Sequence, residues 1–525
     1  MIAKEIAWTV GASDTTSGSG VLNDIKTMTG LSVHGCAVIT AIKNFEGVTL
    51  PTLRGQLLKL ADDMPPQALK IGYIDSAAQL AMLVEFIANY KPPFVVYDPD
   101  FDGLNLAENT ELLRAIRENL MPVCHLLTAN IAETLTILDI TPESLPTGED
   151  RGAYDAFVED LGMKLVVAGP KTVVIKGGAR KGSFSQDYFT NGVSGLWLTS
   201  LKRTTPSTGG AGDTFSSALA ACVAQGNGIL DSLVMAKSYV NQCLDNAPGI
   251  GRSKGPIGHG LWLSEQNTLP WLTLTAEEGR HRLAFKPAHN LGFYPIVDSF
   301  AMVETMVNAG VKHIQLRIKD QDEAVLNNEI MESAKLCRQK GAELYVNDYA
   351  QLAIRHGAHG VHLGQADLVM QDLNLISEAG LKLGVTARSY WEMARALALK
   401  PSYITVGPIF FDDAPEVEAH HGLSQLIRWR KVLDFPLVAA GGICLENAPG
   451  VLSTGVDSIA VYRDLSAFTS DELTARLEKW LRMFERKGMT AGIDLSFDAS
   501  VRTDTAETPR IAQDLNSDQN SGLML

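Results

Sequence analysis

Short apolar runs separated by amphipathic stretches set the rhythm of the first half of the chain. Ile6-Ala7-Trp8-Thr9-Val10, Cys36-Ala37-Val38-Ile39-Thr40-Ala41-Ile42, Phe94-Val95-Val96-Tyr97, Leu126-Leu127-Thr128-Ala129 and Thr172-Val173-Val174-Ile175 are too continuous for strands with one wet face and too short for helices. They predict strands covered on both sides. Helical patterns such as Val21-Leu22-Asn23-Asp24-Ile25-Lys26-Thr27-Met28 fall between them. That alternation predicts a parallel sheet wound on both faces by helices. Polar residues follow the strand ends, with Asp98 and Asp100 after one, Asn130 and Glu133 after the next, and Lys176 after a third. Ligands of open α/β sheets collect at those carboxyl ends.

The rhythm fades between Gly249 and Asn290, where Gly, Pro, His and Trp are scattered without a period. We therefore expect one unit over 1–260, a linker over 261–290, and a second unit over 291–487. In the second unit, strand candidates recur at the spacing of a (β/α)8 barrel. They include Leu291-Gly292-Phe293-Tyr294-Pro295-Ile296-Val297-Asp298, His313-Ile314-Gln315-Leu316-Arg317, Glu343-Leu344-Tyr345-Val346-Asn347-Asp348, Gly360-Val361-His362-Leu363, Leu383-Gly384-Val385-Thr386 and Tyr403-Ile404-Thr405-Val406-Gly407. Polar residues again sit at the carboxyl ends, the face where such barrels place their chemistry. The remaining 488–525 is rich in Asp, Ser, Thr, Asn and Gln and is expected to be disordered.

Composition narrows the classes. The 525 residues suffice for two or three full cores, and 46% hydrophobic with 20% charged residues is ordinary for globular chains. A formal net charge of −15 argues against a nucleic-acid-binding surface, although a local basic pocket for phosphates stays open. The 6 cysteines form no Cys-x-x-Cys pair and read as buried thiols of a reducing compartment. The amino terminus has no signal-peptide pattern, and no apolar run reaches membrane-spanning length. The expectation is a cytoplasmic enzyme acting on small molecules, without nucleic acid or membrane partners and with a homo-oligomer left open.

The first candidate chemistry is Thr208-Gly209-Gly210-Ala211-Gly212-Asp213-Thr214-Phe215, leading into a small-residue helix. Bare N–H groups at a helix start suit an anion. Asp213 in that turn repels a phosphate unless it takes a proton from an attacking hydroxyl, and the alternative is a helix cap in a glycine turn. The stretch resembles the Gly-Ala-Gly-Asp signature of ribokinase-like kinases. That resemblance implies Asp213 as base, with Gly210, Ala211 and Gly212 holding the phosphoryl group of ATP. It also implies Lys176 against the nucleotide phosphates, and Asn130 and Glu133 organising Mg²⁺ and phosphate. Asp14, Gly18, Gly20, Asp24, Lys26 and Thr27 match the opening of the hydroxymethylpyrimidine kinases, which places Asp24 at the substrate. Two departures fall in the ring pocket of that family. Lys43-Asn44-Phe45-Glu46-Gly47 lacks its Gln, and Tyr73 stands where Met is usual, so Phe45 and Tyr73 are expected to line an altered pocket.

In the second unit, Arg317 and Lys319 alternate along one strand and so point the same way, fit to grip a diphosphate. Asp348 and Asp367 end two strands and can share a Mg²⁺, while Gln315 and Asn347 orient a ring or phosphate without adding charge. Gln315-Leu316-Arg317-Ile318-Lys319, Val346-Asn347-Asp348, Gly360 to Asp367, Gly407-Pro408-Ile409-Phe410 and Ala440-Gly441-Gly442-Ile443 together resemble thiamine-phosphate synthase. The resemblance carries substrate contacts to Thr386, Gly442 and Arg463. It implies that diphosphate leaves a pyrimidinylmethyl carbon, which a thiazole nitrogen then attacks. Here too the chain departs from the pattern. An acidic loop over 411–421 replaces a Thr-x-Thr-Lys phosphate loop, while Arg388 and Arg463 add cations at strand ends.

The reading is a fused thiamine-pathway enzyme, a hydroxymethylpyrimidine (phosphate) kinase followed by the synthase. Alternatives are a kinase half that is inactive or specific for another small alcohol, or a precursor-binding protein with both sites degenerate.

Overall fold

The computed structural model describes residues 5–490 except 44, 106–108, 147–149, 253, 263–266, 289, 320, 412–419 and 467–469. The expected disordered tail beyond 490 and most of the acidic loop lie outside the described residues.

The first half builds a nine-stranded sheet. Its strands are β1 (Ile6–Ser13), β2 (His34–Ile42), β3 (Ala68–Ile71), β4 (Val95–Tyr97), β5 (Leu126–Asn130), β6 (Thr172–Lys176), β7 (Phe184–Thr190), β8 (Gly195–Leu201) and β9 (Trp271–Thr273). The order is β2-β1-β3-β4-β5-β6-β7-β8-β9. The first six strands are parallel, as their unbroken apolar runs predict. Helices cover both faces. Leu53, Leu57, Leu80, Leu83, Leu161 and Leu165 belong to one apolar cluster, and the helices Ala211–Ala224 and Ile229–Asp245 belong to the other.

The wholly parallel sheet is corrected at one edge, where β7, β8 and β9 run antiparallel. The cause is local. Asn191 Oδ1 accepts from the N–H groups of Val193 and Ser194 at 3.0 and 2.8 Å, so the chain reverses in a tight turn where a parallel strand would need a helical crossover. Within the segment read as a linker, Trp271 to Thr273 pairs with β8 and the indole of Trp271 donates to the Gly279 carbonyl at 2.8 Å. Those residues therefore complete the sheet.

The second half is a closed parallel barrel of β10 (Phe293–Val297), β11 (His313–Leu316), β12 (Glu343–Asn347), β13 (Gly360–Leu363), β14 (Lys382–Ala387), β15 (Tyr403–Val406), β16 (Leu437–Ala439) and β17 (Ser458–Val461), with β17 pairing back on β10. Its apolar core is continuous with the cluster on one face of the first sheet. Backbone bonds also cross the join, from Phe285 N–H to the Lys400 carbonyl at 3.0 Å and from Ala288 N–H to the Ser402 carbonyl at 2.9 Å. Among the described residues no helix is long and apolar enough to cross a membrane, and the cysteines are free thiols.

Two candidate active sites

The glycine turn and its helix stand over the carboxyl ends of the first sheet. Gly210 has φ +79°, and a Cβ there would lie 2.2 Å from the Gly18 carbonyl oxygen and 2.7 Å from Asn23 Oδ1, so only glycine lets the two glycine loops meet. The segment after the second helix clamps the turn from outside, with Gly209 N–H donating to the Gly255 carbonyl at 2.9 Å.

Asp213 faces back into the sheet. Lys70, at 1% exposure on β3, reaches Asp213 Oδ1 at 3.0 Å and Asp24 Oδ2 at 2.8 Å, and Gly20 N–H donates to Asp213 Oδ2 at 3.1 Å. Burial alone would raise the Asp213 carboxyl. The Lys70 ammonium, its hydrogen bond, the Gly20 N–H and the charge of Lys176 more than offset this, and Asp213 is held below the usual carboxylate range. Asp24 is pushed the other way, up to about 7, by complete burial and the charge of Asp213, against the pull of Lys70. Two carboxylates around one lysine thus split into an ionised one at the turn and a reluctant one beneath it.

A second cation lies alongside. Lys176 ends β6, pairs with Asp98, and sits 3.8 Å from Glu133; a Cβ on Gly212 would lie 3.3 Å from its Nζ. Asp98 also accepts from Thr128 at 2.9 Å and Ser216 at 2.7 Å. Asn130 and Glu133 form a capping box on the helix Ile131–Leu138. Burial raises Glu133 to about 7 despite Lys176. The structure therefore brings Asp24, Asn130, Glu133, Lys176, Gly210, Ala211, Gly212 and Asp213 to one end of the sheet. Lys70 belongs there too and was not expected, and Asp98 and Asp100, expected only as an acidic turn at a strand end, pair with the site lysine Lys176 and with Lys43. The signal available was an acid or lysine at the end of an apolar strand, which by itself more often marks a solvated charge.

The expected ring pocket is half corrected. Tyr73 is buried against Ala12, Ala41 and Leu104, with its hydroxyl 3.4 Å from Asp75 Oδ1. Phe45 is 78% exposed and is not part of that cluster.

The barrel holds a cavity of about 1050 Å³ at its carboxyl face, lined by Gln315, Arg317, Lys319, Asn347, Asp348, Asp367, Thr386, Gly442 and Arg463 together. One geometric expectation is corrected. β11 ends at Leu316, so Arg317 and Lys319 lie in the segment beyond the strand, although both still reach the cavity. Asp348 has φ +68° and shares a hydrogen bond with Asp367. Burial first, then the Asp367 carboxylate, raises Asp348 to about 6, against Arg317 and Lys319. Two hard-oxygen ligands crowded this way fit a divalent cation such as Mg²⁺. Gly442, at φ +62°, carries the backbone past Phe411, whose carbonyl would be 2.7 Å from a Cβ. Arg388 lines the same cavity.

The floor was not anticipated. Tyr294, Tyr345 and Tyr403 meet edge to face at 5.6–5.7 Å inside the barrel. Tyr403 Oη is 2.7 Å from Tyr294 Oη and 3.1 Å from His362 Nδ1, and His362 Nε2 is 2.8 Å from Thr386 Oγ1. Burial and then Arg317 push His362 down to about 3, so it stays neutral and fixes the Thr386 hydroxyl. The Thr405 hydroxyl, buried and lining the cavity, has no protein partner. Tyrosines at strand positions read as core packing, which hides a polar network.

Comparison with known proteins agrees with this division. The phosphomethylpyrimidine kinase family model matches residues 14–258, and the thiamine monophosphate synthase model matches residues 293–465. Thiamine-phosphate synthase of Klebsiella pneumoniae is 49% identical over 173 residues, 33% of this chain and 82% of that protein. The enzyme of Photorhabdus laumondii is 44% identical over 206 residues, 38% and 94% of the two. Among solved structures, phosphomethylpyrimidine kinase from Clostridium difficile is 26% identical and covers 45% of this chain and 99% of its own, with a TM-score of 0.37. Pyridoxal kinase from Staphylococcus aureus is 23% identical, covering 52% and 99%, with a TM-score of 0.46. The chain belongs to the thiamine-phosphate synthase family through its barrel, which is fused behind a phosphomethylpyrimidine kinase domain.

Proposed function

We propose that the protein makes thiamine phosphate in two stages. The first half phosphorylates hydroxymethylpyrimidine and its phosphate with ATP, and the barrel couples the resulting diphosphate to thiazole phosphate. The observation that carries the reading is the coincidence, in each half, of cations and carboxylates at the carboxyl ends of the strands.

In the kinase step, Asp213 accepts the proton of the substrate hydroxyl as its oxygen bonds to the γ-phosphorus and ADP leaves. The start of the Ala211–Ala224 helix and Lys176 stabilise the charge on the transferring group. Asp98 and Glu133 keep Lys176 in place. In the barrel, Arg317 and Lys319 hold the diphosphate while its C–O bond breaks and the electron pair leaves with oxygen. The thiazole nitrogen lone pair then forms the new C–N bond. Gln315 and Asn347 orient the rings beside the carbocation-like carbon. Asp348 and Asp367 would hold Mg²⁺, which when bound adds positive charge beside the departing diphosphate.

The full chain incubated with hydroxymethylpyrimidine, ATP and Mg²⁺ should give the mono- and diphosphate by mass, and thiamine phosphate once thiazole phosphate is added. Thiamine phosphate from supplied diphosphate but none from the free alcohol would favour a kinase half that is inactive or specific for another alcohol.

Arg463 stands where the family often has Ser, at the first turn of the helix Arg463–Ser466 and on the cavity wall. Arg463→Ser should weaken coupling about ten- to a hundredfold at saturating Mg²⁺, the worth of a charge-assisted bond to phosphate. Unchanged synthase kinetics would leave the chain without compensation for its acidic loop.

A further inference from the structure

The two halves meet at the rim of the synthase cavity. The helix Tyr390–Ala398 follows β14, and its first turn begins beside Arg388 and Glu392, both of which line the cavity. Its own cap is short of partners. Ser389 Oγ accepts the Glu392 N–H at 3.4 Å, and Glu392 Oε2 accepts the Arg388 N–H at 2.6 Å. The next N–H groups turn outward, toward the other half of the chain. There Asp231, in the first turn of the helix Ile229–Asp245, accepts the Trp391 N–H on Oδ1 at 2.9 Å and takes further bonds from the Tyr390 N–H and the Ser389 hydroxyl. A carboxylate supplied by the kinase half therefore completes the N-terminal cap of a barrel helix and faces the positive end of its dipole.

The same turn is tied to the cavity from inside. Gln365 Nε2 donates to the Thr386 carbonyl at 2.7 Å and to the Glu392 carbonyl at 3.4 Å. Gln365 lies two residues from Asp367, whose Oδ2 accepts the Gly364 N–H at 3.2 Å. A shift at the start of the helix moves Arg388 directly, and the Gln365 and Thr386 wall through these bonds.

We propose that Asp231 is a positioning residue for the synthase site. It fixes the Arg388 turn at the cavity rim, so that the kinase half supplies part of the order the barrel needs to hold a diphosphate. This rests on the synthase reading of the barrel and goes beyond it, because among the described residues none of the first half lines that cavity.

The test uses the full chain carrying Asp231→Ala, Asp231→Asn, Arg388→Ala, and the Asp231→Ala/Arg388→Ala pair. Synthase kcat/KM and inorganic diphosphate binding by calorimetry are both measured with Mg²⁺ present. Asp231→Ala should lower both about five- to tenfold, the usual effect of losing a helix cap, with kinase turnover unchanged. Asp231→Asn keeps an acceptor and should stay within about threefold of the parent. The pair should lose clearly less than the two single losses combined, because Asp231 acts chiefly through that arginine. Full synthase activity and diphosphate affinity in Asp231→Ala, or additive losses in the pair, would overturn the proposal. A parent chain that binds diphosphate but makes no thiamine phosphate would defeat the synthase reading, and the binding comparison would still decide the role of Asp231.

Discussion

Asp213→Asn is expected to reduce phosphoryl transfer by about a hundredfold or more while leaving ATP binding nearly intact. The magnitude is that of a lost general base. An amide fills the same space and can still accept from the Gly20 N–H, now 3.1 Å from Oδ2, so the glycine turn should keep its shape. It cannot take the proton. Lys70 holds the wild-type carboxyl below its ordinary range, so acidification to pH 5 should not mimic the variant. Rapid-quench measurement of the first turnover with ATP, beside nucleotide binding by calorimetry, separates the two effects. Near-normal turnover in Asp213→Asn would make this residue a helix cap and move the base elsewhere. Asp24, raised to about 7 and within reach of the same lysine, would then be the next candidate.

How legible these sites were depended on whether the residues formed a local pattern. Gly210, Gly212 and Asp213 stand within four positions of one another, and Arg317 and Lys319 are two apart, so short-range periodicity exposes them. Lys70 has no such neighbours. It lies 46 residues from Asp24 and 143 from Asp213, and an apolar strand ending in lysine says nothing about which acids it will meet. The same holds for the barrel floor, where Tyr294, Tyr345, His362 and Tyr403 come from four strands. The parallel strands β1 to β6 were readable because burial on both faces leaves continuous apolar runs. The antiparallel edge was not read, although Phe184 to Thr190 and Gly195 to Leu201 flank an Asn-Gly turn, itself a hairpin signal. Trp271 to Thr273 could not be recognised from three residues whose partner lies some 70 positions upstream on β8. Phe45 was expected beside Tyr73 and is instead largely exposed, since the loop that carries it departs from the family pattern and gives no periodicity to place it.

Lys70→Met should be the most destabilising single change in the first half. The lysine is 1% exposed and neutralises two carboxylates, of which Asp24 is equally buried. Removing one partner of a buried ion pair typically costs about 3–5 kcal/mol, because the remaining charge has neither water nor counter-ion. The pH dependence distinguishes this cause from a simple packing defect. In the parent, Asp213 has a lowered folded value, so it contributes stability above the unfolded carboxylate range, and that contribution is lost as pH falls through the folded value. Lys70, raised by its two partners against the opposing effect of burial, contributes fully below its ordinary value and so throughout the neutral range. Asp24 already lies above its unfolded value in the parent, at about 7; without Lys70 it rises further, and burial and mutual repulsion lift Asp213 above its unfolded value as well. Such groups penalise folding above the unfolded range, by an amount that grows with pH until the folded value is reached. The gap between parent and Lys70→Met in urea unfolding should therefore be widest near pH 8 and narrow toward pH 5. Adding Asp24→Asn removes one of the stranded charges and should recover much of the loss at pH 8 while changing little at pH 5. An equal loss at both pH values, unaltered by Asp24→Asn, would mean that Lys70 matters for its hydrocarbon stem and that the two carboxylates do not depend on its charge.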